Sequence, residues 1–308
     1  MSQLKMIIAL VTIAVYGGAA MADGYDAPSG KGFAPPVSTY SWTGFSIGVG
    51  GGGAIMNADV NATGTRNGEI GFCDPDDCGP TFFPLVGLVK TQDFDLNDSG
   101  DAGFFGTIQL AYDHQVSSRW VIGAFIDFDW GSNVEASGSA SNALDLSFGG
   151  VPVATLSSDA TSNNIEQDWS FTLGGRIGLL ASQRTLLYFL AAYTRMELDN
   201  AYAQMNFTDP LGFIGPINSP TSLRVPLADS LEGYTLGGGV ETKLNHAVSL
   251  KFEYRYTDLE SDSASASNTV IQCCAFDAIA RRIQEDASAS MDLDLHSVRA
   301  VLSYKFGH

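Results

Sequence analysis

An all-β fold, an eight-stranded antiparallel up-and-down transmembrane β-barrel with long extracellular loops, is predicted by three features of this sequence. Segments after Tyr40 alternate apolar and polar residues with period two, the mark of strands with two different faces. Short and long connections between those segments alternate strictly, as short periplasmic turns and long outer loops do in such barrels. Charged residues make up 16% of the 308-residue chain, against about 25% in an ordinary soluble domain. A barrel in lipid needs little charge, because its outer face must be apolar.

The N-terminus reads as a secretory signal. Lys5 supplies positive charge, an apolar run extends from Met6 to Val15, and Ala20-Met21-Ala22 forms an A-x-A cleavage site. That run is too short to span a bilayer as a helix, and no later stretch reaches the roughly 18 apolar residues a spanning helix needs. Residues 1–22 are therefore expected to be removed on export. Residues 23–40, rich in Gly, Pro and Ser, read as a flexible periplasmic lead-in, and 41–308 as the outer-membrane barrel.

The strands follow in order. The first starts at Trp42 and carries Phe45, Ile47 and Val49 on one face. The second, 103–114, carries Phe104, Ile108, Leu110 and Tyr112. From Arg119 to Trp130, Trp120, Ile122, Ala124, Ile126, Phe128 and Trp130 oppose Val121, Gly123, Phe125, Asp127 and Asp129. Over 168–180, Trp169, Phe171, Leu173, Ile177 and Leu179 oppose Ser170, Thr172, Gly174, Arg176 and Gly178. Residues 186–197 are apolar on both faces, so the pattern leaves their orientation open. Over 233–244, Tyr234, Leu236, Val240 and Leu244 oppose Thr235, Glu241 and Lys243. Over 248–257, Val248, Leu250, Phe252, Tyr254 and Tyr256 alternate with Ser249, Lys251, Glu253, Arg255 and Thr257. The last strand sets Val298, Ala300, Leu302, Tyr304 and Phe306 against Ser297, Arg299, Val301, Ser303 and Lys305.

Short turns are expected near Val116-Ser117-Ser118, Ser182-Gln183-Arg184 and Asn245-His246, and long loops over 58–101, 132–166, 199–230 and 259–290. An even strand number places both termini in the periplasm. In the last long loop, Phe276, Ile279 and Ile283 fit one face of a short helix over 275–283.

The charges on the polar faces point into a lumen that is just wide enough to be filled by side chains. Desolvated charges must pair, so Arg176, Arg255 and Arg299 are expected to pair with Glu241, Glu253 and Asp127. Such a network either plugs the barrel or lines a water path. Trp42, Trp120, Trp130, Trp169, Tyr256 and Tyr304, at strand ends, are expected to form the interfacial aromatic girdles.

The net charge of −18 argues against nucleic acid as a partner, since phosphate binding needs clustered Lys and Arg. Most of the acid lies outside the predicted strands, as a solvated surface or as a site for cation bridging to lipopolysaccharide headgroups. Cys73 and Cys78 flank a short acidic loop, and Cys273 and Cys274 are adjacent. Export permits disulfides among them, with three full connectivities open, and their spacings fit a zinc ribbon poorly. The stretch 95–100 resembles half of a calcium loop, but position 106 is Gly where the bidentate Glu belongs. No metal or other cofactor is expected. There is no G-x-S-x-G elbow and no H-E-x-x-H helix, so the chain reads as a non-enzyme.

Trp42-Thr43-Gly44-Phe45-Ser46-Ile47-Gly48 resembles the W-x-G-F-Y-I-G opening of the α-proteobacterial outer-membrane immunogenic proteins, the porin-opacity group related to the OmpA membrane barrel. Gly238-Gly239-Val240-Glu241 is similar to that group's sixth strand. The run from Leu250 to Leu259 is similar to its L-K-x-E-Y-x-Y-x-D-L seventh strand, and Val298 to Phe306 to its closing strand. The resemblance spans roughly 41–306 and implies an eight-stranded outer-membrane barrel with a structural or porin-like role. It also implies that Tyr304 and Phe306 form the closing aromatic signal read by the barrel-assembly machinery, although Gly307 and His308 follow here. The expected function is that of a structural surface protein. A small-solute channel and an adhesin acting through the loops are the alternatives, and a soluble ligand-holding cup is disfavoured by the charged inner face.

Overall fold

Three tight turns define one end of the molecule. The computed structural model describes residues 41–306 apart from 73–80, 85–89, 97, 132–134, 149–150, 208–220 and 273–278. The expected signal, 1–22, the lead-in, 23–40, and all four cysteines lie outside the described residues. The strands are β1 (Gly44–Phe72), β2 (Thr81–Pro84), β3 (Lys90–Asp95), β4 (Asp98–Gln115), β5 (Trp120–Trp130), β6 (Glu135–Phe148), β7 (Val151–Leu180), β8 (Thr185–Asp199), β9 (Tyr202–Phe207), β10 (Thr221–Pro226), β11 (Ser230–Lys243), β12 (Val248–Gln272) and β13 (Ile279–Lys305).

Eight of these pair in a ring. β1 pairs with β4, β4 with β5, β5 with β7, β7 with β8, β8 with β11, β11 with β12, β12 with β13, and β13 returns to β1, all antiparallel. Ring pairing satisfies every strand on both sides, which lipid demands because it offers no hydrogen-bond partners. The turns after β4, β7 and β11 share one device. Ser117 Oγ accepts from the Trp120 amide at 3.1 Å, Ser182 Oγ from the Thr185 amide at 3.1 Å, and Asn245 Oδ1 from the Val248 amide at 2.8 Å. Short polar side chains reaching forward along the backbone in this way hold tight turns.

Alternation places apolar side chains outside over one band of the ring. Phe45, Ile47, Val49, Ile108, Leu110, Ile126, Leu173, Leu187, Phe189, Leu236, Phe252 and Leu302 are all exposed. On β13 the outward series Tyr304, Leu302, Ala300, Val298 gives way beyond His296 to Asp294, Asp292 and Ser290. On β12 it gives way beyond Tyr256 to Asp258 and Glu260, and on β8 beyond Tyr193 to Arg195 and Glu197. The apolar band from Val248 to Tyr256 matches the 9–11 residues or so that a tilted strand needs to cross a bilayer.

Above that band the structure corrects the expected loops. Most described residues of 58–101, 132–166, 199–230 and 259–290 are paired strand. β1, β13 and β12 continue upward as one sheet with β3 on its edge, and β6, β7, β9 and β10 pair as a second. The two enclose a common apolar core containing Met56, Val60, Phe94, Leu96, Ile165, Met196, Met205, Val225, Met291 and Leu293. The sequence hides this because the outward residues are Ser, Asn, Asp and Thr, several of them poor strand formers. Many inward ones, such as Ala58, Ala62, Ala287 and Ala289, are too small to mark a periodicity. The expected helix over 275–283 is also corrected: Ile279 to Ile283 belong to β13, paired with β1 and β12.

Candidate functional site

The lumen below that core is the candidate site, and alternation builds it. Alternate residues of the eight ring strands point inward, and on β4, β5, β7, β11, β12 and β13 they include charged groups. Tyr188 on β8 joins them. The open orientation of 186–197 resolves with Leu186, Tyr188 and Leu190 inside and Leu187 and Phe189 outside.

The structure brings all six predicted network residues together, and adds partners. Arg176 is held between Asp113 and Glu241, at 2.7 and 3.0 Å. Arg255 is held between Asp127 and Glu253, both at 2.6 Å. Arg299 lies 2.9 Å from Asp129 and 3.7 Å from Asp127. Glu241 also accepts from Ser249 at 2.6 Å, and Glu253 from the Tyr188 hydroxyl at 2.6 Å. Lys251 lies 3.9 Å from Glu241 and donates to Gln109. Each arginine also lies over a ring, Arg176 over Tyr188 at 4.9 Å, Arg255 over Phe125 at 5.1 Å and Arg299 over Phe105 at 4.9 Å. Planar guanidinium groups suit both the carboxylates and the ring faces.

Asp113, Asp129 and Tyr188 are partners that sequence reasoning missed, although Asp129 stands on the predicted polar face of its strand. A signal for Asp113 existed, since it shares strand parity with Gln109 opposite Leu110 and Tyr112. Tyr188 carried none, because its strand is apolar on both faces. Glycine makes room for these groups. A Cβ on Gly123 would lie 2.2 Å from Asp113 Oδ1, and one on Gly239 would lie 2.8 Å from the Tyr188 hydroxyl.

A belt of hydroxyls adjoins the charged layer, with Thr172 opposite Asp127 in the ladder. Thr172 and Thr194 are 3.1 Å apart, Thr194 and Thr235 2.6 Å, and Thr235 and Thr257 2.7 Å. These four buried threonines link four adjacent strands, β7, β8, β11 and β12. Beyond them begins the apolar core, with Met196, Leu231, Leu259 and Leu295. Charge, hydroxyl and hydrocarbon thus adjoin one another inside the ring.

The aromatic residues divide between the two ends of the lipid band. Trp120 and Tyr304 lie exposed at the turn end. Trp130, Trp169 and Tyr256 lie at the other, where Trp169 stacks on Phe128 with ring centroids 5.7 Å apart. Trp42 is a correction. It is 1% exposed and packs inside the barrel with Ala111, Val121 and Leu186. Its segment turns inward across the mouth before β1 begins, which strand periodicity cannot register. Phe306, beyond the last strand, is exposed and meets Tyr304 edge-on at 5.2 Å. Among the described residues no group of His, Cys, Asp and Glu is arranged to hold a metal ion.

A family model described as "Outer membrane protein beta-barrel domain" matches residues 83–306. The chain is 25% identical over 277 residues to the 31 kDa outer-membrane immunogenic proteins of Brucella melitensis biotype 1 and Brucella suis biovar 1, covering 89% of this chain and 87% of each relative. Among solved structures it is similar to the outer membrane protease OmpT from Escherichia coli, with 12% identity, TM-score 0.30, and 82% of this chain and 97% of that one covered. It is also similar to Ail, the attachment invasion locus protein of Yersinia pestis, with 11% identity, TM-score 0.22, and 76% and 98% covered.

Proposed function

The chain belongs to the outer membrane protein β-barrel domain family, and from that premise we propose that it is a non-enzymatic structural protein which anchors a folded β extension at the cell surface. It resides in the outer membrane, with outer-membrane immunogenic proteins as relatives. Short turns face the periplasm in such barrels and long connections face outward, so the extension is the part displayed. Its partners on this reading are outer-membrane lipid and lipopolysaccharide, with the barrel-assembly machinery engaged during insertion.

The observation that carries the proposal is the filled axis. The arginine–carboxylate layer, the threonine belt beside it and the apolar core all have their side chains buried. Ions crossing such a path would have to break desolvated ion pairs and then enter hydrocarbon, both of which are costly. Single-channel recording on folded, detergent-purified protein in a planar bilayer tests this. Silence from protein shown to be inserted is the expected result. Discrete, reproducible conductance steps would overturn the structural reading in favour of a porin.

A further inference from the structure

Residues 41–43 do not continue the barrel wall. They cross its periplasmic mouth and are fastened to several parts of the rim. Lys243, at the end of β11, donates from Nζ to the Ser41 carbonyl at 2.6 Å. Lys305, at the end of β13, donates from Nζ to the Trp42 carbonyl. Trp42 Nε1 donates to the Gln183 carbonyl in the β7–β8 turn at 3.3 Å. The Gln115 amide, at the end of β4, donates to Thr43 Oγ1 at 3.0 Å, and the Trp42 amide donates to Gln115 Oε1 at 3.4 Å. One tripeptide thus ties together the ends of β4, β7–β8, β11 and β13.

Its side chain fills the opening. The Trp42 ring is buried against Ala111, Val121 and Leu186 and lies under the Lys243 ammonium, 4.9 Å from the ring centroid. Beside it is a small cleft lined by Ser46, Asp113, Glu241, Lys243, Ser249 and Lys305. Two of these, Asp113 and Glu241, are the ligands of Arg176, so the ring sits against the first charged layer of the lumen. The joint between this segment and the wall is Gly44, with φ of +139°, a conformation that L side chains rarely adopt. A glycine there lets the chain fold back into the mouth.

We propose that 41–43 is a releasable stopper. Hinged at Gly44 and clamped by Lys243 and Lys305, it closes the periplasmic mouth and controls solvent access to the ionic layer. Release lets water in from the periplasm as far as the ionic layer at Asp113 and Glu241, while the apolar core above stays shut. Polar fastenings suit this role, since water can replace each of them when the segment swings out, and the apolar contacts of a single ring provide most of the remaining hold.

The test is thiol accessibility in the full chain, folded in lipid vesicles, with Cys73, Cys78, Cys273 and Cys274 replaced by serine. Ser303, inward-facing and 2% exposed, is changed to Cys as the lumen reporter, and exposed Ser182 to Cys as the control. A charged methanethiosulfonate reagent should label the lumen reporter slowly while the stopper is in place. Labelling should rise about tenfold or more in Trp42→Ala, the scale of a modest local opening, with the control unchanged. The Lys243→Met/Lys305→Met pair keeps the ring but removes the clamps, and should also accelerate labelling. If Trp42→Ala fails to insert, this pair decides. Equal lumen-reporter rates with and without the stopper, in protein that keeps its folded migration, would overturn the proposal. Planar-bilayer current should stay silent in every variant, so a failure here is distinguishable from a failure of the structural reading.

Discussion

Arg176 on β7 and Asp113 on β4 meet through two parallel hydrogen bonds, Nε to Oδ1 at 2.9 Å and Nη2 to Oδ2 at 2.7 Å, across strands that are not neighbours in the wall. Arg299 on β13 reaches Asp129 on β5 through an end-on fork, Nη1 to Oδ1 at 3.1 Å and Nη2 to Oδ2 at 2.9 Å. Ladder hydrogen bonds join each strand to its neighbours. These ion pairs brace the ring from within, between strands that the ladder does not connect.

Removing one partner of such a brace strands the others in a desolvated site. Arg176→Met leaves Asp113 and Glu241 without it, and is expected to cost about 3–5 kcal/mol. Arg176→Lys should recover only part, since a point charge cannot fork to one carboxylate. Urea unfolding of vesicle-inserted protein measures both. A near-zero effect of Arg176→Met would mean that water reaches these carboxylates.

The hydroxyl belt makes an internal comparison. Thr235 hydrogen-bonds on both sides, to Thr194 and Thr257, whereas Thr172 bonds to Thr194 alone. Thr235→Val should therefore destabilise by about 1–3 kcal/mol and Thr172→Val by less, because the central change breaks two hydrogen bonds and strands Thr257, whereas Thr194 keeps Thr235 when Thr172 is lost. The same unfolding assay reads the order, and equal losses would count against a continuous chain of bonds.

The extension should behave as a folded unit with its own core. Met205 and Leu293 are buried there, at 0% and 2% exposure. Alanine at either position is expected to cost about 2–5 kcal/mol through lost burial and a cavity. Protease added to intact cells should then cut the extension while leaving a membrane-protected barrel fragment. Unchanged resistance would argue that the extension draws its stability from elsewhere.

The lipid band can be mapped by charge. Phe252 faces outward within it, and Ser288 faces outward on the extension. Phe252→Arg should destabilise by about 2–4 kcal/mol, with little change for Ser288→Arg, since the cost of an outward cation depends on depth. Equal costs would place the membrane boundary elsewhere.

Much of the barrel was legible in the sequence because a spanning strand must satisfy two opposed solvents at once. Leu250, Phe252 and Tyr254 against Lys251, Glu253 and Arg255 admit one arrangement, apolar to lipid and charged to the lumen, and the short turns at Ser117, Ser182 and Asn245 follow from local side-chain chemistry. Which charge meets which was not legible. Asp113 finds Arg176, and Arg299 finds Asp129, because ring closure brings together residues on strands that do not pair. The extension was unreadable for a related reason: alternating Ser and Ala on β12 and β13 have no strong preference of their own, and pairing with a partner strand makes them sheet. Trp42 marks the same boundary. Sequence by itself placed an aromatic residue at a strand end, but only the closed ring, with Lys243 and Lys305 converging on its mouth, decided that the ring would be inside, since an indole can be buried either against lipid or within a barrel and only tertiary contacts distinguish the two.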